Sequence, residues 1–208
     1  MSDVSRPTAE FSGRTVLVTG GAGFVGRHLV GALVPRNDVR VLDDCSTGDP
    51  SALPAAVTLF EADVTDETML AAAMDGVDVV FHLAAVVSVE QSVEAPTEAH
   101  RVNVDGTLAV LERARAEDAR VVVASSAAVY GDAGDPPIDE STPGDPRSPY
   151  GADKLAADVY ARAYESTYGV PTVVLRYFNV YGPGQRGPYS GVIDAFLRRA
   201  VPGEPLAL

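Results

Sequence analysis

The sequence predicts an α/β fold in which helices cover both faces of a parallel β-sheet. Short runs rich in valine and leucine alternate along the chain with longer alanine-rich stretches of helical period. The short runs are apolar throughout, which is typical of strands that are buried on both faces. Their alternation with helices is the pattern of βαβ units, and such units build parallel sheets.

Six strands and four helices are predicted from local composition. The strands are β-branched runs such as VRVLDD and TVVLRYFN, and the helices are alanine-rich stretches of helical period such as GFVGRHLVGALV. A loop of glycine, proline and aspartate at 131–149 follows the fifth strand. The predicted strands cover 15–20, 39–44, 57–63, 77–85, 119–126 and 172–179, and the predicted helices cover 23–34, 66–76, 95–116 and 150–168.

The charge of the chain argues against two classes of partner. The 208 residues carry a formal net charge of −13, and the pI is about 4.5. Because such a surface repels phosphate groups, binding to nucleic acid or to an anionic membrane is not expected. The use of one lysine against 15 arginines fits a halophilic source, although a GC-rich coding bias would replace lysine in the same way.

Neither a disulfide framework nor a metal site is expected. The sequence has a single cysteine, Cys45, and no group of cysteines and histidines has the spacing of metal ligands. The N-terminal segment is polar and lacks the apolar stretch of a signal peptide. No apolar run approaches the roughly 18 residues that span a membrane. These features predict a cytoplasmic protein.

The segment VLVTGGAGFVGRHL predicts a phosphate-binding loop between the first strand and the first helix. Gly20, Gly23 and Gly26 are spaced three apart. The first permits a tight turn, the second lets the backbone approach a pyrophosphate, and the third lets helix and strand pack closely. The positive end of the helix would hold the anion. The sequence therefore predicts a dinucleotide site in a Rossmann-like, doubly wound sheet, although an ordinary strand–helix turn can also be rich in glycine.

Two aspartates that end strands are candidates for the adenosine half of the dinucleotide. Asp43 lies 20 residues after Gly23, where a carboxylate binds ribose hydroxyls and repels a 2′-phosphate, which favours NAD over NADP. Asp63 ends the third strand. Its position leaves two interpretations open, a contact with adenine or a plain helix cap.

Lys154, the only lysine, lies four residues after Tyr150. Residues four apart share one face of a helix, so the two side chains would project together. A nearby cation, joined by the positive charge of oxidised nicotinamide, would lower the pKa of the phenol from its usual value of about 10. The compact ammonium could also donate to a ribose hydroxyl, a role that the planar fork of arginine fits poorly. The pair predicts a tyrosine base with a lysine partner, although a solvent-facing pair has the same spacing.

Ser125 and Ser126 end the fifth strand, at the edge of the sheet where ligands bind. A hydroxyl there could bind a substrate hydroxyl and the tyrosine, or the serines could simply end the strand. His82, Cys45 and His100 are predicted to be structural, because His82 lies inside an apolar strand and no Ser-His-Asp order is present.

Eight motifs in consistent order resemble the extended short-chain dehydrogenase/reductase family. They are TGGAGFVG, LDDCSTG, ADVTD, FHLAA, NVDGT, SSAAVYG, SPYGADK and RYFNVYGPGQ, and the resemblance runs from about residue 14 to the last residue. Within this family the chain is most similar to the NAD-dependent nucleotide-sugar epimerase/dehydratase group. The 4-epimerases that act on UDP-glucose are the nearest type.

The resemblance implies a role for each matching residue. Ser126 would be the catalytic hydroxyl, Tyr150 the base and Lys154 its partner, and Ser126 and Asn179 would contact the sugar nucleotide. The residues implied to bind NAD are Gly20, Gly23, Phe24, Val25 and Gly26 at the pyrophosphate, Asp43, Asp44, Ser46, Thr47 and Gly48 at the ribose, Asp63 and Val64 at the adenine, Leu83, Ala84, Ala85 and Asn103 beside the dinucleotide, Phe178 at the nicotinamide end, and Tyr150 and Lys154 themselves.

The implied reaction is epimerisation at C4 of a UDP-hexose. Tyr150 would take the proton of the 4-hydroxyl as hydride passes from C4 to NAD+, and the transient 4-keto sugar would turn over and receive the hydride on its other face. The 4,6-dehydratases of the group carry an acid directly after the catalytic hydroxyl, where this chain has Ala127 and Ala128. Val87 stands where some bacterial epimerases present a lysine to the cofactor. A 4,6-dehydratase or reductase of the same family, and a non-catalytic NAD-binding fragment, are the alternatives.

The chain is predicted to divide into three parts. Residues 1–13 would be a polar extension, 14–180 the NAD-binding domain with the catalytic residues, and 181–208 the beginning of a truncated substrate-binding region, because members of the family continue further. The family's dimers commonly pair two long helices as a four-helix bundle. The corresponding helices here would be 95–116 and 150–168, so a homodimer is possible.

Overall fold

A computed structural model describes residues 11–132, 134, 136–185, 196 and 200. In this part of the chain six parallel strands form one sheet. The strands are β1 (Thr15–Thr19), β2 (Asp38–Asp43), β3 (Thr58–Glu61), β4 (Val79–His82), β5 (Arg120–Ser126) and β6 (Thr172–Tyr177). Their order across the sheet is β3-β2-β1-β4-β5-β6, which confirms the predicted doubly wound arrangement.

Helices cover both faces of this sheet. They are α1 (Phe24–Leu33), α2 (Glu67–Met74), α3 (Val89–Glu94), α4 (Pro96–His100), α5 (Gly106–Glu117) and α6 (Pro149–Tyr168), with 3₁₀ turns at Pro50–Ala52 and Ala127–Tyr130. On one face, Val30 and Leu33 of α1 pack against apolar residues of β1 and β2. On the other face, α2, α5 and α6 contribute Leu70, Leu111 and Ala161 to a larger cluster. Burial on both faces explains why the strands are apolar throughout.

The strand order places a crevice at the carboxyl ends of β1 and β4. The chain runs outward from β1 through β2 to β3 and then crosses back to β4, on the other side of β1. The connections that follow β1 and β4 therefore diverge, and ligands bind in the space that such a divergence leaves. Thr19 and His82 are paired neighbours in the register at this point.

The helix predicted over 95–116 is not one regular helix. The chain forms α4, then a π-helical segment at Arg101–Asp105, and then α5, and the separate helix α3 precedes them. Pro96 begins α4, a position where the missing N–H of proline costs nothing. Within the π-helical segment, the Asn103 side chain binds the backbone of Val86. The wider turn thus directs Asn103 to the end of β4, which sequence periodicity does not show.

The first turn of α6 is fixed by its sequence. Ser148 caps the helix by accepting a hydrogen bond from the N–H of Gly151, and Pro149 occupies the first helical position. Gly169 ends the helix in the left-handed conformation that glycine favours.

Although α6 has 20 residues, neither it nor any other helix in the described part of the chain is long and apolar enough to cross a bilayer.

A buried ion pair joins α6 to β6. Asp158, which is 1% exposed, accepts hydrogen bonds from Arg162 at 2.7 Å and from Arg176 at 2.8 Å. Arg176 also donates to the hydroxyl of Tyr130 at 2.8 Å. Because both carboxylate oxygens are bonded, the buried charge is compensated.

The predicted terminal parts lie mostly outside the described residues. Of the polar extension at 1–13, only residues 11–13 are described, and of the region at 181–208, only 181–185, 196 and 200. The predicted division into three parts therefore stays a prediction.

Candidate functional site

The glycine-rich loop after β1 is packed too closely for side chains. A Cβ atom on Gly20 would lie 2.7 Å from the backbone nitrogen of Ala84, and one on Gly26 would overlap the carbonyl oxygen of Gly20. Gly20 also has a φ of +68°, in the left-handed region that glycine favours. The loop backbone therefore lies directly against the end of β4 and the start of α1.

The first turn of α1 provides a site for an anion. Gly23 is the N-cap residue, and no side chain caps this helix. The N–H groups of Phe24, Val25 and Gly26 consequently have no side-chain acceptor, and they lie at the positive end of the helix dipole. A Cβ atom on Gly23 would approach only the carbonyl oxygen of Gly20, at 3.3 Å. These residues fit a pyrophosphate group, as the sequence predicts.

Asp43 is nearly buried at the end of β2, where it joins two loops. Its Oδ2 accepts a hydrogen bond from the N–H of Ala22 at 2.9 Å, and its Oδ1 accepts one from the N–H of Cys45 at 2.8 Å. Burial raises the pKa of this carboxyl group, and the backbone hydrogen bonds oppose the rise. A carboxylate has about four lone-pair positions, so the predicted bonds to ribose hydroxyls still have acceptors.

The loop after β2 lies against the phosphate-binding loop. A Cβ atom on Gly48 would lie 2.8 Å from Ala22. Asp44 is exposed, and its Oδ1 accepts hydrogen bonds from the N–H of Ser46 at 3.0 Å and from its hydroxyl at 2.7 Å. The structure thus places beside Asp43 the four further residues predicted to line the ribose, and their contacts stay predictions: Asp44, Ser46, Thr47 and Gly48.

The helix-cap interpretation of Asp63 is wrong, because Asp66 caps α2. Asp63 instead accepts hydrogen bonds from the N–H and hydroxyl of Thr65, at 2.8 and 2.7 Å, and from the guanidinium of Arg101 at 2.8 Å. Burial raises its pKa, but these bonds together outweigh burial and lower the pKa. A charged, oriented carboxylate suits the predicted contact with adenine, and Val64 beside it is buried.

The segment after β4 lies against the phosphate-binding loop at Leu83 and Ala84, and the contacts of Leu83, Ala84 and Ala85 with the dinucleotide stay predictions. Asn103 is buried below this segment. Its side chain accepts a hydrogen bond from the N–H of Val86 at 2.9 Å and donates one to the Val86 carbonyl oxygen at 3.2 Å. Both ends of the amide are therefore bonded to the backbone that would line the cofactor.

The two serines that end β5 have different environments, because successive strand residues face opposite sides. Ser125 is buried, and its hydroxyl donates to the carbonyl oxygen of Lys154 at 3.4 Å. Ser126 is half-buried, and its Oγ accepts a hydrogen bond from the N–H of Ala128 at 3.1 Å. The side chain of Ser126 also lies near the phenol of Tyr150 and lowers its pKa. The structure thus brings Ser126, rather than Ser125, to the tyrosine.

Lys154 is 6% exposed, and its ammonium lies inside the fold. Its Nζ donates a hydrogen bond to the carbonyl oxygen of Ala124 at 2.9 Å. Burial lowers the pKa of Lys154 to about 8, and the charge of Asp153 acts in the opposite direction. A buried lysine excludes the interpretation of Tyr150 and Lys154 as a solvent-facing pair.

The pKa of Tyr150 does not shift in the predicted direction. Burial raises it above its usual value, and the nearby side chain of Ser126 opposes this rise only in part. The lowering predicted for Lys154 together with oxidised nicotinamide is not present in the residues of the chain by themselves, because desolvation of the phenol is the larger effect and Nζ is bonded to Ala124. A further positive charge, such as that of oxidised nicotinamide, is needed to reverse the shift.

The remaining predicted positions are exposed. Phe178, which is 64% exposed, and Asn179 directly follow β6, and the last residue of β6 pairs with Ser126. Both therefore lie at the edge of the sheet where the crevice opens. Val87 is 51% exposed in the connection from β4 to α3. The contacts predicted for Phe178 and Asn179 stay predictions.

Sequence reasoning missed two residues that support the site. Arg101 binds Asp63, and the hydroxyl of Thr19 accepts hydrogen bonds from the N–H groups of Leu83 and Ala84, both at 3.2 Å. Thr19 directly precedes Gly20, so its position in the loop motif was the one available signal. Arg101 had none, because its partner lies 38 residues away in the chain.

The fold and the crevice define an α/β protein with a dinucleotide site. The model of the NAD dependent epimerase/dehydratase family matches residues 16–208. The UDP-glucose 4-epimerase of Azospirillum brasilense is 41% identical over 176 residues, which cover 83% of this chain and 51% of the relative. The structure of Thermus thermophilus UDP-glucose 4-epimerase in complex with NAD has a TM-score of 0.85 and 39% identity, with 93% of this chain and 65% of that chain covered. The structure of the Streptomyces venezuelae dTDP-glucose 4,6-dehydratase with NAD and TYD bound has a TM-score of 0.82 and 34% identity, with 91% of this chain and 62% of that chain covered.

This chain therefore belongs to the NAD-dependent epimerase/dehydratase family, which confirms the resemblance and the predicted cofactor class. The chain spans 51–65% of the length of these relatives. Since they differ in reaction, membership shows an NAD-dependent enzyme family and leaves the particular reaction to be argued from the site.

Replacing Gly26 with alanine is expected to weaken NAD binding by at least about a hundredfold. The new Cβ would overlap the carbonyl oxygen of Gly20, so the first turn of α1 must move away from the loop and its N–H groups would lose the pyrophosphate. Titration calorimetry with NAD measures the loss. Gly31→Ala is the matched control in the same helix: nothing lies within 4 Å of its Cβ, so affinity should not change and stability should rise by about 0.5–1 kcal/mol. Unchanged affinity in Gly26→Ala would show that the pyrophosphate binds elsewhere.

Proposed function

We propose that this protein is an NAD-dependent nucleotide-sugar 4-epimerase that interconverts UDP-glucose and UDP-galactose. The observation that carries the proposal is that the phenol of Tyr150 lies beside the side chain of Ser126, with the buried Lys154 one helical turn away. These groups lie at the carboxyl edge of the sheet that also carries the glycine-rich loop. A proton-transfer group beside a dinucleotide site suits the oxidation of a secondary alcohol and its reversal.

Tyr150 is the base that removes the proton of the sugar 4-hydroxyl and later returns it. The first turn of α1 at Gly23 and the carboxylate of Asp43 would hold NAD, which when bound would supply reversible hydride transfer at C4 of the sugar. Ser126, whose side chain lies beside the phenol of Tyr150, orients the 4-hydroxyl of the sugar through its own hydroxyl. Because burial raises the pKa of Tyr150, the phenol becomes an effective base only when positive charge lies beside it. Proton removal is thereby restricted to the site with an oxidised cofactor.

Lys154 supplies part of that positive charge, and a hydrogen bond to strand β5 keeps its ammonium group in place. One of its three N–H groups is bonded to Ala124, so two remain for a ribose hydroxyl and the phenol. With a pKa of about 8, the side chain is mostly protonated at neutral pH. Asp153, which raises the pKa, helps to keep it so.

A 4,6-dehydratase is the second candidate, because the Streptomyces venezuelae enzyme of that activity is a close structural relative. Elimination of water needs a group that donates a proton to the leaving hydroxyl. The residues after Ser126 are Ala127 and Ala128, at the start of a 3₁₀ turn, and neither can transfer a proton. This difference favours epimerisation.

The full-length protein tests the proposal directly. We expect purified protein to carry NAD, at about one per chain by mass spectrometry of the released ligand. It should convert UDP-glucose into UDP-galactose without added NAD, since the cofactor is regenerated in each turnover. Release of a 4-keto-6-deoxy sugar would establish the dehydratase instead. Bound NAD with no conversion of nucleotide sugars would establish a non-catalytic NAD-binding protein.

The assembly and cellular setting stay predictions. We expect a homodimer through α4, α5 and α6, and the side chains of Val159 and Tyr160 on α6 are 48% and 41% exposed, as an uncovered helix face would be. Sedimentation of the full-length protein would test the dimer. The cytoplasmic location and a halophilic source rest on the sequence alone.

A further inference from the structure

Thr19 at the end of β1 has a hydroxyl whose hydrogen-bond directions are fixed. Its Oγ1 accepts from the N–H groups of Leu83 and Ala84, both at 3.2 Å. The N–H of Leu83 is shared with the carbonyl oxygen of Thr19, at 3.1 Å. The direction of the third contact, between Oγ1 and Nδ1 of His82 at 2.8 Å, follows from the other side of the imidazole ring. The Thr107 hydroxyl donates its only proton to the carbonyl oxygen of Asn103, so Nε2 of His82 must donate to Thr107, and Nδ1 of the neutral ring must accept from Thr19. It follows that Nδ1 of His82 is an acceptor and carries no proton.

The tautomer of His82 determines the next two bonds. With Nδ1 unprotonated, a neutral imidazole carries its proton on Nε2. Nε2 lies 3.0 Å from the hydroxyl oxygen of Thr107 on α5 and donates to it. The Thr107 hydroxyl in turn donates to the carbonyl oxygen of Asn103 at 2.6 Å. Thr19 thus donates to His82, His82 donates to Thr107, and Thr107 donates to Asn103.

The two residues at the ends of this series of hydrogen bonds, Thr19 and Asn103, hold the backbone that would line the cofactor. Asn103 holds the N–H and the carbonyl oxygen of Val86 with its side-chain amide. Thr19 holds Leu83 and Ala84, and Ala84 lies against Gly20 of the phosphate-binding loop. The segment 83–86 is therefore held at one end by Thr19, which contacts His82 directly, and at the other by Asn103, which is linked to His82 through Thr107.

We propose that His82, as the neutral Nε2–H tautomer, is a positioning residue for the dinucleotide: through Thr19 and Thr107 it fixes the backbone of residues 83–86 against the phosphate-binding loop. The proposal rests on the proposed function in so far as the crevice binds NAD. It assigns His82 a role in cofactor binding without contact with the reacting atoms, and it gives a reason for a histidine inside an apolar strand.

Burial and charge keep His82 in the required state. The side chain is 3% exposed, and burial together with the charge of Lys154 lowers its pKa to about 3. His82 thus stays neutral over the whole range in which histidine ordinarily titrates, about pH 5 to 8. A protonated ring would donate from both nitrogens, so the bond from the Thr19 hydroxyl would be lost.

Nitrogen NMR of protein labelled in its histidines tests the tautomer without any activity. The expected result is an unprotonated Nδ1 and a protonated Nε2 for His82, unchanged between about pH 5 and 8. His28 and His100, whose rings contact Pro183 and Asp153, serve as internal comparisons. A proton on Nδ1, or titration within this range, would overturn the proposal.

The dissociation rate of NAD tests the positioning role. Thr107→Val removes the acceptor for His82 and the donor to Asn103 while keeping the shape of the side chain, and we expect NAD to dissociate about tenfold faster. Thr107→Ser keeps the hydroxyl and should restore the wild-type rate to within about threefold. A purely structural role would lower the free energy of unfolding in Thr107→Val and leave the NAD dissociation rate unchanged, which would refute the proposal.

The outcomes separate this proposal from the proposed function. Wild-type protein that binds NAD but converts no nucleotide sugar would refute the epimerase and leave the dissociation test intact. If Thr107→Val fails to fold, the tautomer of His82 and the NAD dissociation rate of Thr107→Ser decide the question. A proton on Nδ1 of His82, together with NAD dissociation from Thr107→Ser as slow as from the wild type, would contradict the proposal.

Discussion

Tyr150→Phe is expected to reduce turnover by about 10²–10⁴-fold, the usual contribution of a positioned acid–base group. The ring keeps its packing, so the first turn of α6 should stay in place, and only the phenol hydroxyl beside Ser126 is lost. NAD should remain bound, because the pyrophosphate and ribose sites are made by other elements. Conversion of UDP-glucose by the full-length protein and the NAD content of the variant are the two measurements.

A second tyrosine of the same helix provides the matched control for this substitution. Tyr160 lies on α6 and is 41% exposed, so Tyr160→Phe removes a hydroxyl from the helix at a distance from the crevice residues. We expect its turnover to equal that of the wild type. If Tyr150→Phe retains turnover within about threefold, the assignment of Tyr150 as the base is wrong, whatever the family resemblance implies.

Lys154→Met is expected to inactivate the protein and at the same time to stabilise it. The loss of the ammonium should lower turnover by at least about a hundredfold, because no other lysine is present to provide the charge. Burial lowers the pKa of Lys154 from 10.5 to about 8, and a difference of this size corresponds to about 3 kcal/mol of cost for keeping the charge inside the fold. The lost hydrogen bond to Ala124 offsets about 1 kcal/mol. The net gain in the free energy of unfolding should be about 2 kcal/mol at neutral pH.

The pH dependence of this stabilisation has a definite sign. Below pH 8 the lysine is charged in both the folded and the unfolded chain, so the wild type bears the whole cost. Between pH 8 and 10.5 the unfolded chain holds a proton that the folded chain has released, and the stability of the wild type therefore rises with pH. The advantage of Lys154→Met should narrow across this window in urea unfolding experiments.

Arginine at the same position supplies the control for charge. A guanidinium stays protonated throughout this pH range, so Lys154→Arg should be less stable than the wild type and should show no recovery between pH 8 and 10.5. A Lys154→Met variant that is less stable than the wild type at neutral pH would contradict the account of a costly buried charge. Stabilisation with full activity would instead remove Lys154 from the mechanism.

Most of the fold followed from local patterns in the chain. Strand β1 and helix α1 were predictable because a continuous apolar run, three spaced glycines and a helical period follow one another within about twenty residues. The parallel order of the sheet followed from the alternation of such units. The π-helical segment at Arg101–Asp105 was not predictable, since it accompanies a contact between Asn103 and Val86, 17 residues apart, that local periodicity does not show.

The candidate site likewise contains residues that the sequence predicted and features that it did not predict. Tyr150 and Lys154 were assigned from their spacing and from the presence of a single lysine, and Gly20 and Gly26 from the loop motif. The sequence did not separate Ser125 from Ser126 without the resemblance, because the difference lies in which face of β5 each serine occupies. It also did not show that burial raises the pKa of Tyr150 in the chain by itself, since spacing shows which charges are near and does not show how much water is excluded.

The sequence by itself determined the kinds of groups that this protein can bring to a ligand: a glycine-rich turn, an acid at the end of the second strand, and one phenol with one ammonium. Only the tertiary structure decided their state, because burial and hydrogen-bond direction are properties of residues assembled from distant parts of the chain. His82 shows the physical reason most clearly. Its tautomer is set by Thr19 and Thr107, which lie 63 residues before it and 25 residues after it and meet it only in the folded protein.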